Sequence, residues 1–270
     1  MSTVGDAGNV DTGLRGYLGF LRQSARKRLV LLWRYPVNTL SMLGTIFLVF
    51  LVLFFGGQAL APAAMEDTTG GLVVGYLLWS LSISAYSGLA WNVTREAQWG
   101  TLEQLFMSPF GFGRVMLVKT LTNLAESFLW GAATLAFMLL VTGQSLALDP
   151  LTVLPLGALA LLPAVGVGFV FGGLAIRFKR IENAFQLVQF VFIGLISAPV
   201  AEYPVLKWLP LAQGSYLLRR AMEDGIAIWD LPADELGVLV LTAVLYLGLG
   251  YAALTYCQRW ARREGVMGHY

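Results

Sequence analysis

The sequence predicts an all-α polytopic membrane protein, and three observations carry that prediction. Six uncharged or nearly uncharged windows are long enough to cross a hydrocarbon core that takes roughly 20 residues of helix: Val37–Phe55, Leu72–Asn92, Leu121–Thr142, Leu151–Ile176, Asn183–Ala201 and Leu236–Gln258. Only the third holds a charge, Glu126. The windows are continuous apolar runs, whereas a transmembrane barrel would show short segments of alternating polarity. Finally, 57% of the residues are hydrophobic and 13% charged, against about a quarter charged in a soluble domain.

Lysines and arginines set the expected orientation, because basic residues that flank spans stay on the cytoplasmic side. With the N-terminus inside, cytoplasmic segments hold 15 of the 18 basic residues, and only Lys207, Arg219 and Arg220 fall outside. Both termini are therefore expected in the cytoplasm of a cytoplasmic (inner) membrane protein. The chain divides into an N-terminal segment (1–36), a six-span domain (37–258) with a cytoplasmic loop at 93–119 and an external helical segment at 199–234, and a C-terminal tail (259–270). The single cysteine, Cys257, excludes an internal disulfide, and the single histidine, His269, leaves no metal cluster. The first dozen residues are polar and begin no apolar signal core.

In chain order, Leu14 to Trp33 reads as an amphipathic helix on the membrane surface. Tyr17, Leu21, Ala25 and Leu29 recur every four residues, and Arg22, Arg26, Lys27 and Arg28 cluster beside them. A short outer loop, Gly56 to Gly71, separates the first two spans. The second span aligns Ser80, Ser84, Ser87 and Trp91 on one helical face, a pattern that suits either close helix packing or a wall facing substrate. Glu126 follows Lys119 by about two turns, which suggests a boundary carboxylate near the cytoplasmic end. Ala164, Gly168, Gly172 and Gly173 form a ridge of small residues on the fourth span, where Pro155 and Pro163 predict kinks. On the fifth span Gln186 and Gln189 share a face with Glu182, directed to a pathway or a subunit contact. Between Ala198 and Asp234, Pro199, Pro204, Pro210 and Pro232 punctuate short aromatic pieces, which predicts re-entrant or interfacial helices.

No catalytic set appears. Gly113 to Thr120 approaches a phosphate loop, yet Val118 stands where the second glycine belongs and no strand precedes it. No nucleophile motif or cysteine pair supports intramembrane enzymology. Nucleic-acid binding would need basic clusters beyond these membrane flanks. The long polar interruption from Asn92 to Lys119 is where water-facing work is concentrated. Within it, a helix begun near Gly100 should end by Ser108, because Pro109 follows.

Glu96, Gly100-Thr101-Leu102-Glu103, Leu105, Ser108-Pro109 and Lys119 resemble the cytoplasmic loop pattern of the type-two ABC exporter permeases. The basic N-terminal helix, the six spans and the external Pro210 to Arg219 stretch extend the resemblance over nearly the whole chain. Leu209 departs from the asparagine that often precedes that proline, and Val118 from the glycine that often precedes that lysine. The resemblance implies a permease that forms a homodimer, or pairs with a related permease, and works with a separate cytoplasmic ATPase subunit. That partner would hold the ATP and Mg; this chain would bind no cofactor directly. The short loop helix would then be the coupling helix seated in a groove of the ATPase. On it Leu102, Leu105 and Phe106 share an apolar side, Glu103 and Gln104 remain available to polar partners, Gly100 and Thr101 belong to the same ATPase-binding set, and Glu96 is placed to meet a basic residue. Substrate is expected in a cavity lined by the second and fifth spans. Serine, glutamine and aromatic side chains there favour an amphipathic cargo such as a drug, a lipid or a lipid-linked glycan. The alternative class is a secondary transporter driven by an ion gradient, which wants mid-membrane carboxylates and internal repeats.

Overall fold

The computed structural model describes residues 23, 26, 30, 34–99, 112–178 and 181–263, without the side chains of 38, 66, 67, 89, 97–99 and 182. The described chain forms α1 (Pro36–Leu60), α2 (Pro62–Trp99), α3 (Phe112–Thr142), α4 (Pro150–Phe178), α5 (Glu182–Ile196), α6 (Ala212–Glu223) and α7 (Ala233–Arg263), with 3₁₀ turns at Pro204–Trp208 and Ile228–Asp230. No strand occurs among the described residues. Of the expected surface helix, Gln23, Arg26 and Val30 are helical and exposed, as is Arg34 just beyond it; its other residues lie outside the described set.

Five helices, α1, α2, α3, α4 and α7, are long and apolar enough to cross a membrane. The fifth expected span, Asn183–Ala201, takes a different form. Its helix stops at Ile196 after 15 residues, about 22 Å, short of a hydrocarbon core of roughly 30 Å. Pro199 biases Ala198 away from helical geometry, and the Ser215 hydroxyl on α6 donates to the Ile196 carbonyl at 2.7 Å, satisfying an acceptor the helix end would leave open.

The first turn is also tighter than expected. In place of a loop over Gly56–Gly71, α1 continues to Leu60 and Pro62 opens α2 after Ala61 alone, whose N–H closes on the Gly57 carbonyl at 2.9 Å. Proline at a first helical position gives up no hydrogen bond. The same device opens α4: Pro150 follows Asp149, whose carboxylate accepts from the Leu151 N–H (3.2 Å) and the Thr152 hydroxyl (2.6 Å). Through Pro155 and Pro163 α4 runs on as one helix. Gly113 to Thr120 is helix from its first residue, which rules out a phosphate-cradling loop there.

Contacts between the helices fix their directions. Tyr76 OH donates to the Ile46 carbonyl (2.6 Å), so α1 runs against α2. Ser127 meets Ser84 and Lys119 meets Glu96, so α3 runs against α2 as well. Gly168 packs on the Tyr86 backbone and Gly172 on Val93, so α4 runs along α2. Likewise Gly166 packs on Tyr246, Gly173 on Leu254, and the Arg177 guanidinium lies 4.6 Å from the Trp260 ring, so α7 runs along α4. Pro36 and Arg263 therefore stand at the same end of the bundle. Between Phe178 and Ala233 the chain returns the length of α4, through α5, the 3₁₀ turns and α6.

The centre of the bundle is α2 and α4, with 59% and 67% of their apolar windows buried against 11% for α1 and 22% for α3 and α7. Where α4 crosses α7, a Cβ on Gly166 would overlap the Tyr246 carbonyl, and one on Gly250 would overlap the Gly166 carbonyl. Only glycine lets two backbones come this close. Of the expected ridge of small residues, Gly173 joins this contact while Gly168 and Gly172 pack on α2, and Gly166 and Gly250 make the tightest point between α4 and α7.

The segment before α7 is a folded element and not a solvated loop. Leu211, with φ of 69°, turns the chain into α6, whose Ala212, Gln213, Gly214, Ser215, Leu217, Leu218, Ala221 and Met222 are all buried. Glu235 on α7 pairs with Arg220 (2.9 Å) and Lys207 (4.0 Å), tying the segment to the last helix. Burial raises the Glu223 carboxyl above its ordinary range; Arg219 beside it works in the opposite direction and Asp224 in the same one.

Candidate functional site

Polar side chains join α2 to α3. Lys119, Asn123, Ser127 and Gly131 recur every four residues and so share one face of α3. Lys119 Nζ lies 3.5 Å from Glu96 Oε1. One turn on, Asn123 Nδ2 donates to the Ser84 carbonyl at 2.8 Å and the Ala85 carbonyl at 3.2 Å. Its amide fills the space above Gly88, where a Cβ would collide with it. Ser127 Oγ is 2.9 Å from both Ser84 Oγ and the Asn123 carbonyl, and Gly131 receives Leu81. Each interhelical hydrogen bond of this kind is worth about 0.6–2 kcal/mol in a membrane. The seam is therefore firm without being fused.

Beside the seam, α1, α2 and α3 enclose a cleft of about 580 Å³. Its α2 wall runs from Tyr76 to Arg95 and includes Trp79, Ser80, Ser84, Ser87 and Trp91; α3 contributes Asn123, Glu126, Ser127, Trp130 and Thr134, and α1 only Met42, Thr45, Ile46 and Val49. Phe47 stacks on Phe137 with ring centroids 4.0 Å apart, closing α1 on to α3 away from the 100–111 end. Toward that end α1 leaves the wall, and Val37 and Leu40 are exposed.

Glu126 sits deeper than its distance from Lys119 suggests. Its neighbour Ser127 meets Ser84, which places Glu126 within about one turn of the middle of the Thr68–Glu96 span. It lines the cleft, and Trp130 Nε1 donates to its Oε1 at 3.4 Å.

The expected site residues separate into three groups. Ser80, Ser84, Ser87 and Trp91 come together on the cleft wall, with Ser84 also in the seam. Gln186 is exposed and Gln189 half-buried on α5, and neither lines the cleft; the Gln189 main-chain carbonyl accepts from Trp79 Nε1 at 3.1 Å. The cleft is thus bounded by the first three helices. Glu96 pairs with Lys119 of its own chain. Gly100, Thr101, Leu102, Glu103, Gln104, Leu105 and Phe106 lie outside the described residues. Asn123, Trp130 and Tyr76 were not singled out by sequence, although the four-residue recurrence on α3 was there to be read as the counterpart of the serine face on α2.

Span-length helices packed around a polar-walled cleft define a multi-pass helical membrane protein. The chain matches the family described as "ABC-2 family transporter protein" over residues 61–252, and it belongs to that family. The match runs from the turn before α2 to the second half of α7 and so takes in the whole seam. No curated protein and no solved structure matches the chain.

Proposed function

We propose that the chain is the permease subunit of an ATP-driven exporter that moves an amphipathic molecule (a drug, a lipid or a lipid-linked glycan) out across the cytoplasmic membrane. A separate cytoplasmic subunit binds ATP and Mg and hydrolyses the nucleotide. A second permease copy, or a related permease, completes the transporter within the lipid. In this reading the bundle crosses the membrane six times. The return of the chain between Phe178 and Ala233 supports the sixth crossing, made by the short α5, and the common end shared by Pro36 and Arg263 supports two cytoplasmic termini. Residues 1–36 then lie on the inner surface, 199–234 form an outer cap, and 259–270 form an inner tail.

Together with family membership, the observation that carries the reading is the Glu96–Lys119 pair at the base of the 100–111 loop. A helix at Gly100 to Met107 works as a coupling helix only if its two flanking helices move as a unit. The pair and the seam above it give α2 and α3 that property. Leu102, Leu105 and Phe106 would seat in an apolar groove of the ATPase, with Thr101, Glu103 and Gln104 meeting polar groups at its rim. Closure of the ATPase on ATP would thereby shift the walls that carry Ser84, Asn123 and Ser127, and the cleft with them.

The test is co-purification of a cytoplasmic ATPase with this chain, followed by ATP-dependent flux in proteoliposomes. Glu103→Arg should abolish flux and ATPase binding while the chain remains folded in the membrane. Flux by the chain alone, driven by an ion gradient and indifferent to vanadate, would replace the exporter with a secondary transporter.

A further inference from the structure

We propose that the cleft and a second, polar pocket at the Ala61 end of the bundle are consecutive compartments of one passage, and that Phe50, Val73 and Met138 form the closed gate between them. This rests on the transport reading only for the claim that cargo takes the passage, and deepens it by naming the barrier.

The same three helices line both cavities. The pocket, of about 420 Å³, is lined by Phe54 and Gln58 of α1, Thr69 of α2, Thr142 of α3 and Gln144 just beyond it. Two amides and two hydroxyls give it walls that can hold water. Gln58 and Gln144 are exposed, and Thr69 stands in the first turn of the Thr68–Glu96 span, so the pocket opens at the end of the bundle opposite the 100–111 loop. On the same helix the cleft ends at Tyr76. From Tyr76 to Thr69 is about 10 Å along the axis. Two turns of packed side chains are all that keeps the cavities apart.

One side chain from each helix fills that gap at a single height. Met138 lies as many residues beyond Ser127 as Val73 lies before Ser84, the residue that Ser127 meets. Phe50 is one turn beyond Ile46, which Tyr76 holds, and so falls within a residue of the level of Val73. All three are 0% exposed. On α1 this is an exception, since only Phe50 and Phe54 are buried among its described side chains. A helix otherwise given over to lipid thus turns two rings inward where a passage would have to be stopped. Phe50 stacks on Phe54 with centroids 5.9 Å apart and lies 5.3 Å from Tyr76, so an unbroken row of rings joins the end of the cleft to the wall of the pocket. Such an apolar plug keeps water and ions from crossing at rest. Its parts differ in stiffness: Val73 is β-branched and fixed in one rotamer, Phe50 can turn at its Cα–Cβ bond, and Met138 adapts through three rotatable bonds. Rotation of the thioether and the ring away from Val73 joins the compartments with only small movement of the helices that carry them.

Single cysteines in a Cys257→Ser background test this on the full chain, in right-side-out and inverted membrane vesicles. Ser80→Cys reports on the cleft and Thr142→Cys on the pocket, each probed with a membrane-impermeant methanethiosulfonate. Ser80→Cys should react from the 100–111 face alone and Thr142→Cys from the opposite face alone. Adding Phe50→Ala should abolish this sidedness for both, and Met138→Ala, the gentler truncation, should do the same more slowly. Where Phe50→Ala does not fold, Met138→Ala decides. Capping Thr142→Cys with a bulky methanethiosulfonate should stop ATP-driven flux, and reduction should restore it. Reaction of both cysteines from one face, sidedness kept in the truncated variants, or full flux through fully capped Thr142→Cys would overturn the proposal. Labelling needs neither ATP nor a partner. Sidedness that Phe50→Ala abolishes, in a chain without flux, therefore counts against the transport reading alone, and flux in a chain whose sidedness ignores Phe50 and Met138 counts against the gate alone.

Discussion

Two contacts of α2 and α4 with their neighbours differ in kind. Between α4 and α7 the backbones touch through Gly166 and Gly250, with no side chain between them. Between α2 and α3 the contact is made by the side chains of Lys119, Asn123 and Ser127, with a cleft alongside. A backbone contact has one geometry, because any slide brings carbonyls into collision. A seam of amide, hydroxyl and charge tolerates small displacement, since each group can lengthen or exchange its hydrogen bond at a cost of about 1 kcal/mol. The first contact makes a rigid frame and the second a firm joint with slightly more give.

That contrast breaks most visibly at Gly166. Gly166→Leu must drive α7 away from α4 and should cost about 3 kcal/mol or more, read as loss of the monodisperse peak in detergent chromatography. A normal peak and melting curve would mean that the frame is no more constrained than the joint. Asn123→Leu should be milder in stability and severe in function. It loses two hydrogen bonds worth about 1–2 kcal/mol together and lowers the melting temperature by a few degrees, while ATP-dependent flux falls far more. A melting loss as large as that of Gly166→Leu would place Asn123 in the frame instead. The smallest effect belongs to the pair at the base of the loop. Both side chains are about a quarter exposed, at 27% for Glu96 and 24% for Lys119, so Lys119→Glu should destabilise by only about 0.2–1 kcal/mol. Combining it with Glu96→Lys should restore both melting and flux, and additive losses in the double variant would show that the two do not work as a pair.

Much of this was legible in the sequence. Hydropathy marked every span-length helix, because a membrane requires long uncharged runs whatever their neighbours. The serine face on α2 was visible for the same reason: Ser80, Ser84 and Ser87 stand out against leucine. The one-residue turn at Ala61 was hidden, since Gly56 to Gly71 has the composition of a loop and only Pro62 betrays a helix start. The end of α5 at Ile196 was hidden too, because Ile193 to Ala201 stays apolar while Pro199 and the Ser215 hydroxyl decide where the helix stops. Glu126 was misjudged in depth. Counting from Lys119 assumes that the lysine marks the membrane surface, but its side chain reaches back along α2 to Glu96, and only the Ser127–Ser84 contact reveals the true height. Asn123 was overlooked because one amide in an apolar run carries no signal until Gly88 is seen across from it.

Ala61, the lone residue joining α1 to α2, has a mechanical implication. So short a link leaves no slack for α1 to slip lengthwise, and Tyr76 holds it to α2 again at Ile46. What freedom α1 retains is angular and lies before Ile46 and Phe47, where Tyr76 and Phe137 hold it like a door on its jamb. The swing is widest at Pro36, farthest from those contacts and at the same end of the bundle as Arg95, so a small rotation there changes the doorway more than it changes the room behind it.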